Sequence, residues 1–133
     1  MAKKKKRKIP LRVQLRRAHK KADKALSDYV RKISVSLYGK CPLCGINPIQ
    51  CCFHFVRRRR KILRWCDKNV IGACNKCNFL EYRDPDLSRA WYIRKFGVEQ
   101  YLFLVDKSKE AYSPTLEDLQ KIIDEFTTKL KDL

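Results

Sequence analysis

Apolar residues recur at helical spacing through the first third of the chain. Leu15, Ala18, Ala22, Ala25/Leu26, Tyr29/Val30, Ile33 and Leu37 share one face of a helix predicted over residues 11–38, the three-to-four-residue period of an amphipathic helix. Lys and Arg cover the opposite face, and Gly39 marks the stop. The apolar stripe predicts docking on the module that follows or on a second copy of the chain, as a homodimer. His19 reads as an exposed polar residue of this helix. The pattern then changes period. Residues 49–56, IQCCFHFV, are aromatic-rich and strand-like. Residues 62–71, with Leu63, Trp65, Val70 and Ile71, predict the second strand and its loop, Trp65 as core. Asp84-Pro85 reads as an N-cap and a proline at the first helical position, opening a helix that runs to Phe96 and ends at Gly97. Val98 to Val105 forms a further short helix. Ser113, Pro114 and Thr115 introduce the last one, with the stripe Leu116, Leu119, Ile122/Ile123, Phe126 and Leu130.

These elements make an α+β chain that is mostly helical. Residues 1–10 form a basic tail, 11–38 the basic helix, 39–83 a small ββα module and 84–133 a C-terminal helical part. At 133 residues this is one domain. There is no internal repeat, and no apolar run long enough to span a membrane.

Charge adds a direction. Residues 1–65 carry 21 Lys/Arg against two acidic residues, Asp23 and Asp28, whereas residues 66–133 carry 11 against 12. The net +18 therefore lies wholly in the first half. A one-sided basic field is the footprint of a nucleic-acid binder. Lys3, Lys4, Lys5 and Lys6 in the tail predict non-specific phosphate contact from a segment with too little apolar content to fold alone. Arg57, Arg58, Arg59, Arg60 and Lys61 form a second basic run just beyond the first strand, placed to bind phosphate.

Two CxxC pairs, Cys41/Cys44 and Cys74/Cys77, bracket 29 residues. Each pair can offer two thiolates to one Zn²⁺ in a closed, structural tetrahedral site. The gap exceeds the 15–20 residues or so of a simple zinc ribbon and leaves room for a hairpin and the start of a helix. No βαβ pattern surrounds either pair, which argues against a redox dithiol. The basic N-terminus is not followed by the apolar stretch of a secretory signal. Seven cysteines without such a signal point to metal and free thiols in a reducing, cytoplasmic setting. Cys52 and Cys66 read as buried small apolar residues.

Three further residues fall inside this frame: His54 on the first strand, Asn69 before the end of the second, and Asn78 directly after the last cysteine. Phosphodiester hydrolysis needs a base for water, for which histidine suits neutral pH. It also needs neutralised phosphate oxygens and a stabilised leaving oxygen, both within reach of one divalent ion. The order of these residues resembles a ββα-metal site, which implies His54 as the base, Asn69 as the residue that orients it by accepting from its ring N–H, and Asn78 as the helix-borne metal ligand.

The stretches DYVRKISVSLYGKCPLCG (28–45), HFVRR (54–58), RWCDKNVIGACNKCN (64–78), EYR (81–83) and YIRKFGVEQYLFL (92–104) resemble the phage NinG/Rap family of recombination nucleases, of the HNH or ββα-metal type. The resemblance covers residues 25–133 or thereabouts. It implies a zinc-supported HNH module flanked by helices, a catalytic Mg²⁺, Mn²⁺ or other divalent cation, and metal-dependent cleavage of branched or single-stranded DNA in the cytoplasm of a bacterial host. Cys51 stands where the family carries an acidic residue three positions before the histidine. Thiolate suits a transition metal better than Mg²⁺. Either the metal preference has changed with Cys51 as ligand, or Asp67 or Glu81 supplies the oxygen, or the chain is a zinc-stabilised nucleic-acid-binding protein with weakened catalysis.

Overall fold

The computed structural model describes residues 7–80 and 84–133. Lys3, Lys4, Lys5, Lys6 and Glu81 lie outside the described residues. Helix α1 (Leu11–Tyr38) ends at Gly39, whose φ of 73° is a conformation that favours glycine. A cysteine-bearing turn leads to strand β1 (Cys51–His54), the one-turn helix α2 (Lys61–Arg64), a short 3₁₀ turn (Asp67–Asn69) and strand β2 (Val70–Ala73). Helices α3 (Asn75–Leu80), α4 (Pro85–Phe96), α5 (Val98–Lys107) and α6 (Leu116–Lys131) follow. No helix among the described residues is long and apolar enough to cross a membrane.

The two strands pair antiparallel, with Cys51 opposite Ala73, Cys52 opposite Gly72, Phe53 opposite Ile71 and His54 opposite Val70. Side chains alternate across the pleat, so the sheet separates two packing environments. Phe53, Ile71 and Ala73 are buried with Cys41 and Cys74. On the other face, Val70 and the half-buried Cys52 pack with Ala22, Leu26 and Val30 of α1, Leu119 and Phe126 of α6, and Trp65. Most of the apolar stripe of α1 is thus covered within the chain by α6 and the sheet, while Leu37 at its end is exposed. Thr115 and Asp118 close a reciprocal capping box that fixes the start of α6.

Gly72 is where α1 and the sheet approach most closely. Its N–H donates to the buried Ser34 Oγ at 2.8 Å. A Cβ built on it would lie 2.7 Å from Ile49 Cγ2 and 2.8 Å from Ser34 Cβ. The third packing unit joins Leu63 of α2 to Tyr92 of α4 and Leu104 of α5. Tyr92 Oη donates to Lys68 O at 2.8 Å, tying α4 to the turn before β2.

The loop predicted with the second strand occupies residues 62–69, and the strand itself begins at Val70. Residues 62–69 curl into α2 and the 3₁₀ turn because Asn69 satisfies their backbone from inside. Its Nδ2 donates to Leu63 O at 3.1 Å and Val56 O at 2.9 Å, and its Oδ1 accepts from Val56 N at 2.8 Å. Asp84 precedes Pro85 as expected, but its side chain makes no capping hydrogen bond. His19 is half-buried rather than exposed: its ring stacks on Trp65 at 5.4 Å. Cys52 and Cys66 are half-buried, not buried.

Candidate functional site

Two features flank the small sheet and share helix α3. The first is the cysteine cluster. Gly45 N–H donates to Cys41 O at 2.7 Å, closing the first knuckle, and Asn78 N–H to Cys74 O at 3.1 Å, starting α3. The Sγ atoms of Cys41, Cys44, Cys74 and Cys77 all lie within 4.8 Å of one another, and those of Cys44 and Cys74 are 3.8 Å apart. Zn–S bonds of about 2.3 Å place tetrahedral sulfurs about 3.8 Å apart, so the four thiols can hold a metal ion such as zinc.

The surroundings favour thiolates at two of the four positions, Cys44 and Cys74. Cys77 N–H and the Asn47 side-chain amide point at Cys74 Sγ, at 3.3 and 3.6 Å. Backbone N–H groups of Asn47 and Ile46 lower the Cys44 thiol to about 6. Burial works against ionisation of Cys74, but the Cys77 and Asn47 donors outweigh it and its pKa lies below the ordinary thiol value. Burial pushes Cys41 and Cys77 upward. Four thiols this close divide in this way because each new negative charge opposes the next unless a cation joins them.

The second feature is a cleft of about 640 Å³ between α1 and the end of β1. It is lined by Asp23, Leu26 and Ser27 of α1, by Gln50, Cys51, Cys52 and His54, by Arg57, Arg58 and Arg59, and by Asn78 of α3. His54, Cys51, Asn78 and three of the five basic-run residues therefore meet in one place. Arg60 and Lys61 are exposed and do not line it.

His54 Nε2 lies 2.8 Å from Arg64 O. A carbonyl can only accept, so Nε2 carries the proton and Nδ1 is the basic nitrogen. Burial lowers the pKa of this ring below 6.5, against smaller upward effects from the Arg64 carbonyl and the Asp23 carboxylate, so that it is neutral at pH 7. The orienting partner differs from the expected one. Asn69 is buried and spends its amide on Val56 and Leu63, while the carbonyl of Arg64 takes the ring N–H. Asn69 shapes the loop that bears Arg64 and does not hold the ring itself.

Cys51 begins β1 on the face of Phe53, opposite in the pleat to His54. Its Sγ donates to Ala73 O at 3.3 Å, and burial raises its pKa, so the thiol keeps its proton. Asp67 is exposed, 3.5 Å from Lys129 Nζ, and takes no part in the cleft. Asp23 is the carboxylate that does line it. Oδ1 accepts from Arg64 Nε at 2.9 Å and Trp65 Nε1 at 3.0 Å, and Oδ2 accepts from Arg64 Nη2 at 2.5 Å. Arg58 Nη1 stands 3.9 Å from the same Oδ2.

Sequence reasoning passed over Asp23. The available signal was an acid set four residues after His19 in a helix with eight Lys/Arg, an arrangement that turns both side chains toward one partner. Comparisons with family models, curated proteins and solved structures gave no match to this chain.

Proposed function

We propose that the chain is a metal-dependent endonuclease of the HNH type acting on DNA, with its four-cysteine centre holding a structural zinc. The observation that carries this reading is the convergence on one cleft of a neutral histidine of fixed tautomer, a helix-borne asparagine and three arginines. Arg57, Arg58 and Arg59 would bind the phosphate through charge-assisted hydrogen bonds. His54 Nδ1 would take a proton from the attacking water while Nε2–H remains on the Arg64 carbonyl. Among the described residues, Asn78 offers a second cation its amide oxygen, and Cys51 would add its sulfur only on leaving Ala73 O and losing its proton, a set suited to a soft transition metal and poorly suited to Mg²⁺. A divalent cation bound there would neutralise the phosphate and stabilise the leaving oxygen. Resemblance to recombination nucleases favours branched or single-stranded DNA as substrate.

A binding module without cleavage is the second reading, and one observation favours it. Among the described residues the carboxylate lining the cleft is Asp23, and it is engaged by Arg64 and Trp65. The deciding experiment incubates wild type and His54→Ala with duplex, single-stranded and four-way-branched DNA in Mg²⁺, Mn²⁺ or EDTA. The nuclease reading expects cleavage by wild type with Mn²⁺ above Mg²⁺, lost in His54→Ala while DNA binding remains. Cys51→Asp supplies an oxygen ligand and is expected to raise the Mg²⁺-supported rate relative to that with Mn²⁺. DNA binding with no cleavage under any of these conditions would establish the binding module instead.

A further inference from the structure

Helix α1 contributes Asp23, Leu26 and Ser27 to the cleft. Side chains three, four or seven positions apart share a helix face. Arg16 lies seven residues before Asp23, Lys20 three before Asp23 and seven before Ser27, Lys24 three before Ser27, and Arg12 four before Arg16. All four are exposed. The face that enters the cleft thus continues outward as a basic ridge. At 1.5 Å per residue it runs about 22 Å from Ser27 to Arg12.

The charge on this ridge is available to a ligand. Its one acid, Asp23, is taken up by Arg64. Lys24 pairs with Asp28, but its side chain is 77% exposed, and such pairs hold weakly against a competing anion. The other long faces of α1 are occupied by α6 and by β2, or turn away from the cleft with Lys21 and Lys32. The aromatic rings beside the ridge are already engaged: His19 stacks on Trp65, Tyr29 packs on Phe126 and Tyr38 on Trp91. Single strands are held by base stacking on aromatics. A straight row of cations without aromatics suits the regular backbone of a duplex.

We propose that Arg12, Arg16, Lys20 and Lys24 form a phosphate track that leads a duplex DNA arm into the cleft. With a rise of 3.4 Å per base pair, about 22 Å corresponds to roughly six base pairs beyond the cleft. The proposal rests on the nuclease reading for what happens in the cleft, and its binding surface stands or falls separately.

The test measures affinity of the full chain for a labelled 20-base-pair duplex, and for one of its strands, across a salt series without added divalent cation. Wild type is compared with Arg16→Gln/Lys20→Gln on the ridge and Lys21→Gln/Lys32→Gln on the far face, after circular dichroism shows both variants folded. Each lost phosphate contact flattens the duplex salt slope by about 0.9. The ridge pair should therefore lose roughly 1.8 in slope and at least about tenfold in duplex affinity, while the far-face pair changes little. Equal losses in both variants would reduce the ridge to a part of the general field and overturn the track. So would an unchanged slope in the ridge pair, or tighter wild-type binding to the single strand than to the duplex. Failure of the nuclease reading shows differently, as absent cleavage with the face-specific slope change intact.

Discussion

Asp23 and Arg64 are locked in a two-pronged ion pair that joins the long helix to the cleft. The carboxylate takes Arg64 Nε at 2.9 Å and Nη2 at 2.5 Å, and the same residue's carbonyl stands 2.8 Å from His54 Nε2. Arg64 is thus held at its side-chain end by α1, and its backbone end holds the histidine. Both side chains of the pair are mostly buried, 16% exposed for Arg64 and 24% for Asp23. Charge-assisted bidentate pairs of this kind carry geometric specificity as well as energy.

Asp23→Asn should therefore damage the cleft without unfolding the protein. The amide keeps an acceptor for the indole or the guanidinium but loses the charge that fixes the fork. A misplacement of about 1 Å can cost about 10²-fold in rate, so we expect kcat to fall roughly ten- to hundredfold with KM for DNA little changed. The carboxylate also raises the His54 pKa. Removing it should move the acid limb of the pH–rate profile to lower pH, a shift that a merely structural loss would not produce. An unchanged profile and kcat would show that the pair does not act through His54.

On the proposed nuclease reading, His54 sets the pH dependence of cleavage. Burial holds its pKa below 6.5, and the base must be neutral to act. Activity should rise with pH through a midpoint below the ordinary histidine value. The stability sign follows from the same shift. Between the lowered folded value and 6.5 the unfolded chain binds more protons, so stability falls as pH drops through that window. Histidine ¹⁵N shifts followed from pH 4 to 8 would report both the pKa and the Nε2–H tautomer. A titration above 6.5, or protonation at Nδ1 in the neutral ring, contradicts the assignment.

Much of this architecture was legible because it is periodic or locally spaced. The stripe on α1, the Gly39 and Gly97 stops and the paired CxxC motifs are each written within a few residues, and each corresponds to a matching element or cluster. What was not legible depends on pairs far apart in the chain. Asp23 and Arg64 are 41 residues apart, and nothing near either announces the other. Asn69 reads as the residue that accepts from the His54 ring N–H, yet in the fold it is a buried brace between Val56 and Leu63. The carbonyl that takes up His54 belongs to a residue whose identity does not reveal it, because any residue offers a carbonyl. Only the path of the loop brings Arg64 there.

Gly72→Ala should destabilise the fold although it adds only a methyl group. The new Cβ would meet Ile49, just before β1, and Ser34 of α1 at 2.7 and 2.8 Å. Overpacking of this sort costs about 1–3 kcal/mol. Displacing Ser34 would also weaken the hydrogen bond from Gly72 N–H. Urea denaturation should show a lower midpoint at unchanged slope. Ser34→Gly in the same background removes both the Cβ and the Oγ that the new methyl meets, so recovery of part of the loss, measured against Ser34→Gly alone, would locate the strain at that contact. A midpoint equal to wild type would mean that α1 yields at no cost.

Metal at the four cysteines should be structural. The closed set leaves no position for water, and each thiol comes from one of two turns that join separate segments of chain. We expect one zinc per chain after purification without chelator. Replacing zinc by cobalt should give the intense near-ultraviolet absorption of thiolate-to-cobalt charge transfer. Cys44→Ser should abolish that band and lower stability by several kcal/mol or so, because metal binding and folding are coupled. At about 4 °C per kcal/mol for a chain of this size, the thermal midpoint should drop by roughly 10 °C or more. Cys52→Ser is the control. Its thiol, pushed up to about 12 by burial, packs against α1 on the far face of the sheet and is expected to leave metal content untouched. Because binding requires thiolates, acid should release the metal, and the release should coincide with loss of the sheet's far-ultraviolet signal. Protein isolated metal-free yet fully folded, or a cobalt form lacking the charge-transfer band, would overturn the assignment of this centre.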